Sequence, residues 1–95
     1  MYLHLGQSVV VPYHSILGIF DLDNSSWAYK TREFLEQAQQ AGRVIPIGED
    51  LPRSFVLVGE ENSPPVVYIS PLSPAALLRR AESSLLEEEI QKIDR

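Results

Sequence analysis

The chain contains no cysteine, and that absence removes disulfide scaffolds, thiolate nucleophiles and thiolate metal sites together. Histidine is nearly as scarce: His4 and His14 stand outside any metal-ligand spacing such as His-x-x-x-His, so each reads first as a structural residue at a sheet margin. The glycines, Gly6, Gly18, Gly42, Gly48 and Gly59, are scattered singly, which excludes a phosphate-cradling glycine loop. Asp21 and Asp23 form an Asp-x-Asp pair without further ligands and read as strand termination and helix capping. No nucleophile with a base in reach and no set of paired carboxylates stands out, so the expected role is binding and assembly, with no catalytic residue, cofactor or metal. No apolar run approaches the roughly 18 residues of a membrane span, and the start lacks the basic segment and long apolar stretch of a signal peptide. The expectation is a cytoplasmic protein with no membrane partner.

What is present is one ordinary globular domain. Ninety-five residues, 44% of them apolar, supply a single core. A domain this small buries only about 60–65% of its unfolded surface, and self-association is a common way to widen so thin a margin. The net charge of −5 is unevenly placed. Residues 82–95 carry five acidic side chains against two basic ones, a balance of −3, whereas residues 1–81 carry eight acidic against six basic. A local basic patch is therefore compatible with the sum. The natural division is a domain over residues 1–81 and an acidic extension or tail over 82–95.

Hydrophobic patterning sets the fold class. Tyr2 to Leu5 alternates, Gly6-Gln7-Ser8 has turn chemistry, and Val9-Val10-Val11 is β-branched, which predicts a hairpin. Ile16 to Asp21 adds a third strand whose apolar run predicts burial on both faces, completing a three-stranded antiparallel meander. Asn24-Ser25-Ser26 offers N-caps for a helix with Trp27, Thr31, Phe34, Leu35, Ala38 and Ala41 at helical spacing, closed by Gly42. Val44 to Ile47 predicts a short edge strand because of Pro46. Ser54–Gly59 and Val66–Ser70 predict a second hairpin joined through Glu60 to Pro64. Pro71 stops the last strand, Ser73 is an N-cap, and Pro74 fits the first position of a second helix through Leu77, Leu78 and Ala81. From Leu85 onward the segment reads either as a packed amphipathic continuation or as a helix that orders against a partner. The sum is an α+β domain: a small antiparallel sheet, meander plus hairpin, packed by two helices.

Anions bind where arginines and backbone N–H groups converge. Arg53 stands at the entry of the strongest strand, and Arg79 and Arg80 are adjacent on the second helix, one expected at the sheet margin and the other in water. Isolated arginines are usually solvated charges, but a symmetric oligomer repeats the same patch on every subunit.

Three segments, taken together, resemble the bacterial extracellular-matrix regulator family comprising RemA and RemB, and the RemB branch most closely: Met1-Tyr2-Leu3-His4-Leu5-Gly6; Ser15-Ile16-Leu17-Gly18-Ile19-Phe20-Asp21; and Tyr68-Ile69-Ser70-Pro71-Leu72-Ser73 with Leu77-Leu78-Arg79-Arg80-Ala81 behind it. The resemblance covers roughly residues 1–81. It implies a LytTR-like fold, a ring-forming homo-oligomer and, in the RemA branch, binding to DNA upstream of biofilm-matrix genes through basic residues displayed around the ring. Arg53, Arg79 and Arg80 become the nucleic-acid-binding candidates, with His14 a conditional fourth. The chain departs from the RemA pattern where an arginine run precedes the strand, reading here Glu49-Asp50-Leu51-Pro52-Arg53. It departs again where His14 stands in place of an arginine. Arginine is always charged and histidine is not, so weak duplex-DNA binding is implied. The alternative is a structural or adaptor oligomer that recruits a protein partner through residues 83–95.

Overall fold

A computed structural model describes residues 1–22 and 29–82. Its organising element is the strand with the most continuous apolar sequence, β5 (Ser54–Glu60), which takes β3 (Ile16–Asp21) on one side and β6 (Ser63–Ser70) on the other. Both pairings are antiparallel. β4 (Val44–Pro46) then joins β6 in parallel, giving the order β3-β5-β6-β4. Side chains alternate across a strand. Val56 and Val58 therefore enter one core while Phe55 and Leu57 face the other.

A separate hairpin, β1 (Tyr2–Gly6) with β2 (Val9–Pro12), lies over the Val56–Val58 face and buries Leu3, Leu5 and Val11 there. A short 3-10 turn, Tyr13–Ser15, leads from the hairpin into β3, and Tyr13 N–H closes it by donating to Met1 C=O at 3.0 Å. Over the same face lies the second helix, α2, helical from residue 74 through 82. Ser73 caps it: its Oγ accepts from Ala76 N–H at 3.1 Å, and Leu77 N–H donates to Ser73 C=O at 3.0 Å. Leu77 is completely buried with Ala81 packed beside it. Burying one leucine in this way stabilises by about 1.5–3 kcal/mol.

The opposite face is covered by α1 (Tyr29–Gln40), whose Phe34, Leu35 and Ala38 pack against Phe55 and Val67. The spacing 31, 34, 35, 38 is the expected stripe. Gly42 ends it in a left-handed conformation with φ of 74°. Gly42 N–H donates to Gln39 C=O at 3.1 Å and Arg43 N–H to Ala38 C=O at 2.8 Å, the paired reverse bonds of a Schellman motif. Ala41 has left the helix by then and is exposed. The capping cluster Asn24-Ser25-Ser26, Trp27 and the segment after residue 82 lie outside the described residues.

The α+β class is borne out, with both helices packed on sheet, but two details of the expected sheet are corrected. There is no three-stranded meander: β3 leaves the hairpin and joins β5 instead. The 3-10 turn rotates the chain between β2 and β3, so adjacency in sequence does not become adjacency in a sheet. The larger sheet is also mixed rather than purely antiparallel, because β4 runs parallel to β6. β4 sits at the edge, where Pro46 forfeits no central ladder bond. β6 begins earlier than its apolar run, at Ser63, with Glu61-Asn62 as the turn and Asn62 at a φ of 61°. β3 is not buried on both faces either. It is an edge strand with Leu17 61% and Phe20 44% exposed.

Two serines facing each other on β5 and β6 separate burial from bonding. Ser70 Oγ donates to Leu5 C=O at 2.5 Å, tying hairpin to sheet, and accepts from Leu72 N–H at 3.1 Å. Ser54, its cross-strand neighbour, is equally buried but its Oγ has no hydrogen-bond partner. Removing one partner of a buried bond costs about 1–3 kcal/mol, while removing a hydroxyl that bonds nothing releases a desolvation penalty. Ser70→Ala is expected to lower stability by about 1–3 kcal/mol. Ser54→Ala should change it by no more than about 0.5 kcal/mol or raise it. Urea unfolding midpoints of the two variants measure the contrast.

Candidate nucleic-acid interface

Arg53 directly precedes β5 and is held by its backbone rather than by chance. Its N–H donates to Ser70 C=O at 2.8 Å and its C=O accepts from Leu22 N–H at 3.0 Å, so the residue is pinned between the ends of β6 and β3. It is exposed, and Glu49, Asp50 and Leu51 just before it are exposed too. Two of those three are acidic. The local field at Arg53 is therefore mixed rather than cationic.

Arg79 and Arg80 are both exposed. The core-facing positions of α2 are Leu77 and Ala81, and at about 100° per residue Arg79 falls on the far side of the helix and Arg80 on its flank. Leu78 is also turned out, 57% exposed. The arginine pair therefore stands on the outside of the molecule beside an apolar side chain.

His14 is exposed in the 3-10 turn at the other end of β5 from Arg53. The register makes this plain: Ile16 pairs with Val58, whereas Asp21 pairs with Ser54. Four residues of strand separate those levels, roughly 13 Å. His14 lines a groove of about 630 Å3 with Val10, Ser15, Val58, Glu61 and Tyr68. The Glu61 carboxylate makes that groove a poor host for a phosphate. The fold thus separates His14 from Arg53, while Arg53 and the start of α2 share one end of the sheet through Ser70 and Ser73.

The remaining polar residues do not converge. His4 is exposed between buried Leu3 and Leu5. Among the described residues no group of three histidine, aspartate or glutamate side chains is placed to hold a metal ion. No helix of the described residues is long and apolar enough to cross a membrane. Arg43, which the sequence did not single out, is a structural clip: its Nη1 donates to Pro65 C=O at 2.6 Å and its own C=O accepts from Val67 N–H at 2.8 Å. The other unforeseen feature is the exposed apolar pair on β3, since a run such as Ile16 to Phe20 looks the same in sequence whether its strand is central or at an edge.

Fold and surface define a small layered α+β domain that presents an outward arginine pair and an apolar sheet edge. No protein-family model matches the chain. Over 82 residues, 86% of this chain and 91% of its counterpart, it is 35% identical to extracellular matrix regulatory protein B of Bacillus subtilis (strain 168). The chain belongs to the family of that regulator.

Because both arginines of α2 are exposed, Arg79→Ala with Arg80→Ala is expected to leave stability within about 0.5 kcal/mol of the parent. Thermal unfolding followed by circular dichroism checks this, and it fixes whether any functional loss in the double variant is a surface effect.

Proposed function

We propose that the protein is a homo-oligomeric regulator of the extracellular-matrix type, assembled as a ring and binding duplex DNA weakly through Arg79, Arg80 and Arg53. The observation that carries this reading is the similarity to extracellular matrix regulatory protein B along nearly the whole of both chains. The outward placement of Arg79 and Arg80 supports it, because phosphate contacts need side chains free to reach a backbone rather than a core.

The weakness has a physical origin. Each phosphate neutralised releases counterions, and the logarithm of affinity falls with the logarithm of salt at a slope of about −0.9 per contact. Arg53 sits beside Glu49 and Asp50, and His14 sits beside Glu61 at the other end of the strand, so few contacts per subunit are available. A ring recovers part of the loss by repeating them along one duplex.

Fluorescence anisotropy with a labelled duplex, titrated with salt, tests the nucleic-acid half. Binding is expected at low salt, with a slope that becomes shallower by about one unit per arginine contact removed when Arg79 and Arg80 are both replaced by alanine. No binding at low salt, or an unchanged slope in the double variant, overturns DNA binding and leaves the adaptor reading, with recruitment through acidic residues 83–95. Light scattering tests assembly separately. A mass several times that of one chain is expected, and a monomer overturns the oligomer.

A further inference from the structure

The two edges of the four-stranded sheet are unequal. β4 is three residues long and ends in Pro46, a short edge of the kind that blocks further pairing. β3 is six residues long and contains no proline and no lysine. Its one charged residue, Asp21, lies at its end. A bulge at Leu17 interrupts its start, but from Gly18 to Asp21 it is in regular register with β5. It also carries the two exposed apolar side chains Leu17 and Phe20.

We propose that β3 is the contact strand between two copies of this chain, pairing antiparallel with itself about a two-fold axis at Ile19, and this rests on the oligomeric reading above. The register follows from side-chain direction and size. Residues directly opposite in a sheet point to the same face, so an isologous antiparallel pair is centred on a residue. Centring on Ile19 sets Ile19 against itself on the hairpin face, where it already packs against the core. It sets each Phe20 against the Gly18 of the other copy on the α1 face. Each ring already lies over its own Gly18, where a Cβ would meet it at 2.7 Å, so in this register the two rings run side by side on either side of the axis. Each ring also stacks on Phe55, with centroids 4.7 Å apart and planes 15° from parallel. The two rings then meet beside the axis and extend the Phe55–Phe20 stack from one copy into the next.

Charge selects the direction. Antiparallel pairing sends the two Asp21 carboxylates to opposite ends of the contact, whereas parallel pairing would set them side by side, an unfavourable like-charge pair. The groove beside the edge, about 220 Å3 and lined by Phe20, Lys30, Phe34, Phe55 and Leu57 among others, receives apolar side chains from a strand added there. Such a contact is small and closes on itself as a dimer. A ring therefore needs a second, different surface, and the β3 pair works as one of its repeated joints.

The absence of cysteine makes a direct test clean. In an antiparallel pair, residues facing each other have Cα atoms about 4.5–5.5 Å apart, within disulfide range. Ile19→Cys is expected to form a covalent dimer under mild oxidation, and Ile45→Cys, on the β4 edge, is not. Phe20→Lys, which sets two ammonium groups on either side of the axis at an exposed position, should weaken association about tenfold or more by light scattering. Circular dichroism confirms that each variant is folded. An assembled protein that cross-links through Ile45→Cys but not through Ile19→Cys, or that is unaffected by Phe20→Lys, overturns the β3 contact while leaving the oligomer standing. A parent chain that is monomeric at every concentration overturns both.

Discussion

The rest of the structure depends on β5 being buried on both sides. Its period-two alternation sends Val56 and Val58 into one core and Phe55 and Leu57 into another, so a chain of this size carries two thin cores instead of one thick one. Each needs its own cover. The hairpin with α2 closes the first and α1 closes the second, and the order of layers follows from that requirement alone.

This arrangement also explains where the cover is incomplete. α1 packs against β4 and β6, and the β3 side of the same face is left to Phe20 and Leu17. Two glycines let those exposed side chains lie along the sheet: Gly18 beneath the Phe20 ring, and Gly59 of β5 beneath Leu17, whose side chain a Cβ would meet at 2.9 Å. The edge is thus flattened yet apolar, the state in which a strand can take a partner. Arg79 and Arg80 stand outward on α2 and the exposed apolar side chains stand on β3, so outward charge and exposed apolar surface occupy different elements.

Much of the fold was legible because it rests on local rules. The Thr31, Phe34, Leu35, Ala38 stripe, the Gly42 stop and the Ser73-Pro74 start all appear where backbone chemistry demands them. The candidate site was less legible. Exposure of Arg79 and Arg80 depends on the rotation of α2 about its axis, which Leu77 and Ala81 set by finding the core. The distance between His14 and Arg53 depends on which strand β3 chooses to pair with. Neither choice is encoded within a few residues of the side chain it positions.

By itself the sequence determined the class of the domain, the identity of nearly every element and the exclusion of cysteine chemistry, because periodicity, capping and composition act over one turn or one strand. Only the tertiary structure decided that β3 leaves the hairpin, that β4 runs parallel to β6 and that an apolar run ends at an edge. The reason is that strand pairing is a contact between segments distant in the chain, and the same alternating side chains satisfy a central or an edge position until the neighbouring strands are in place.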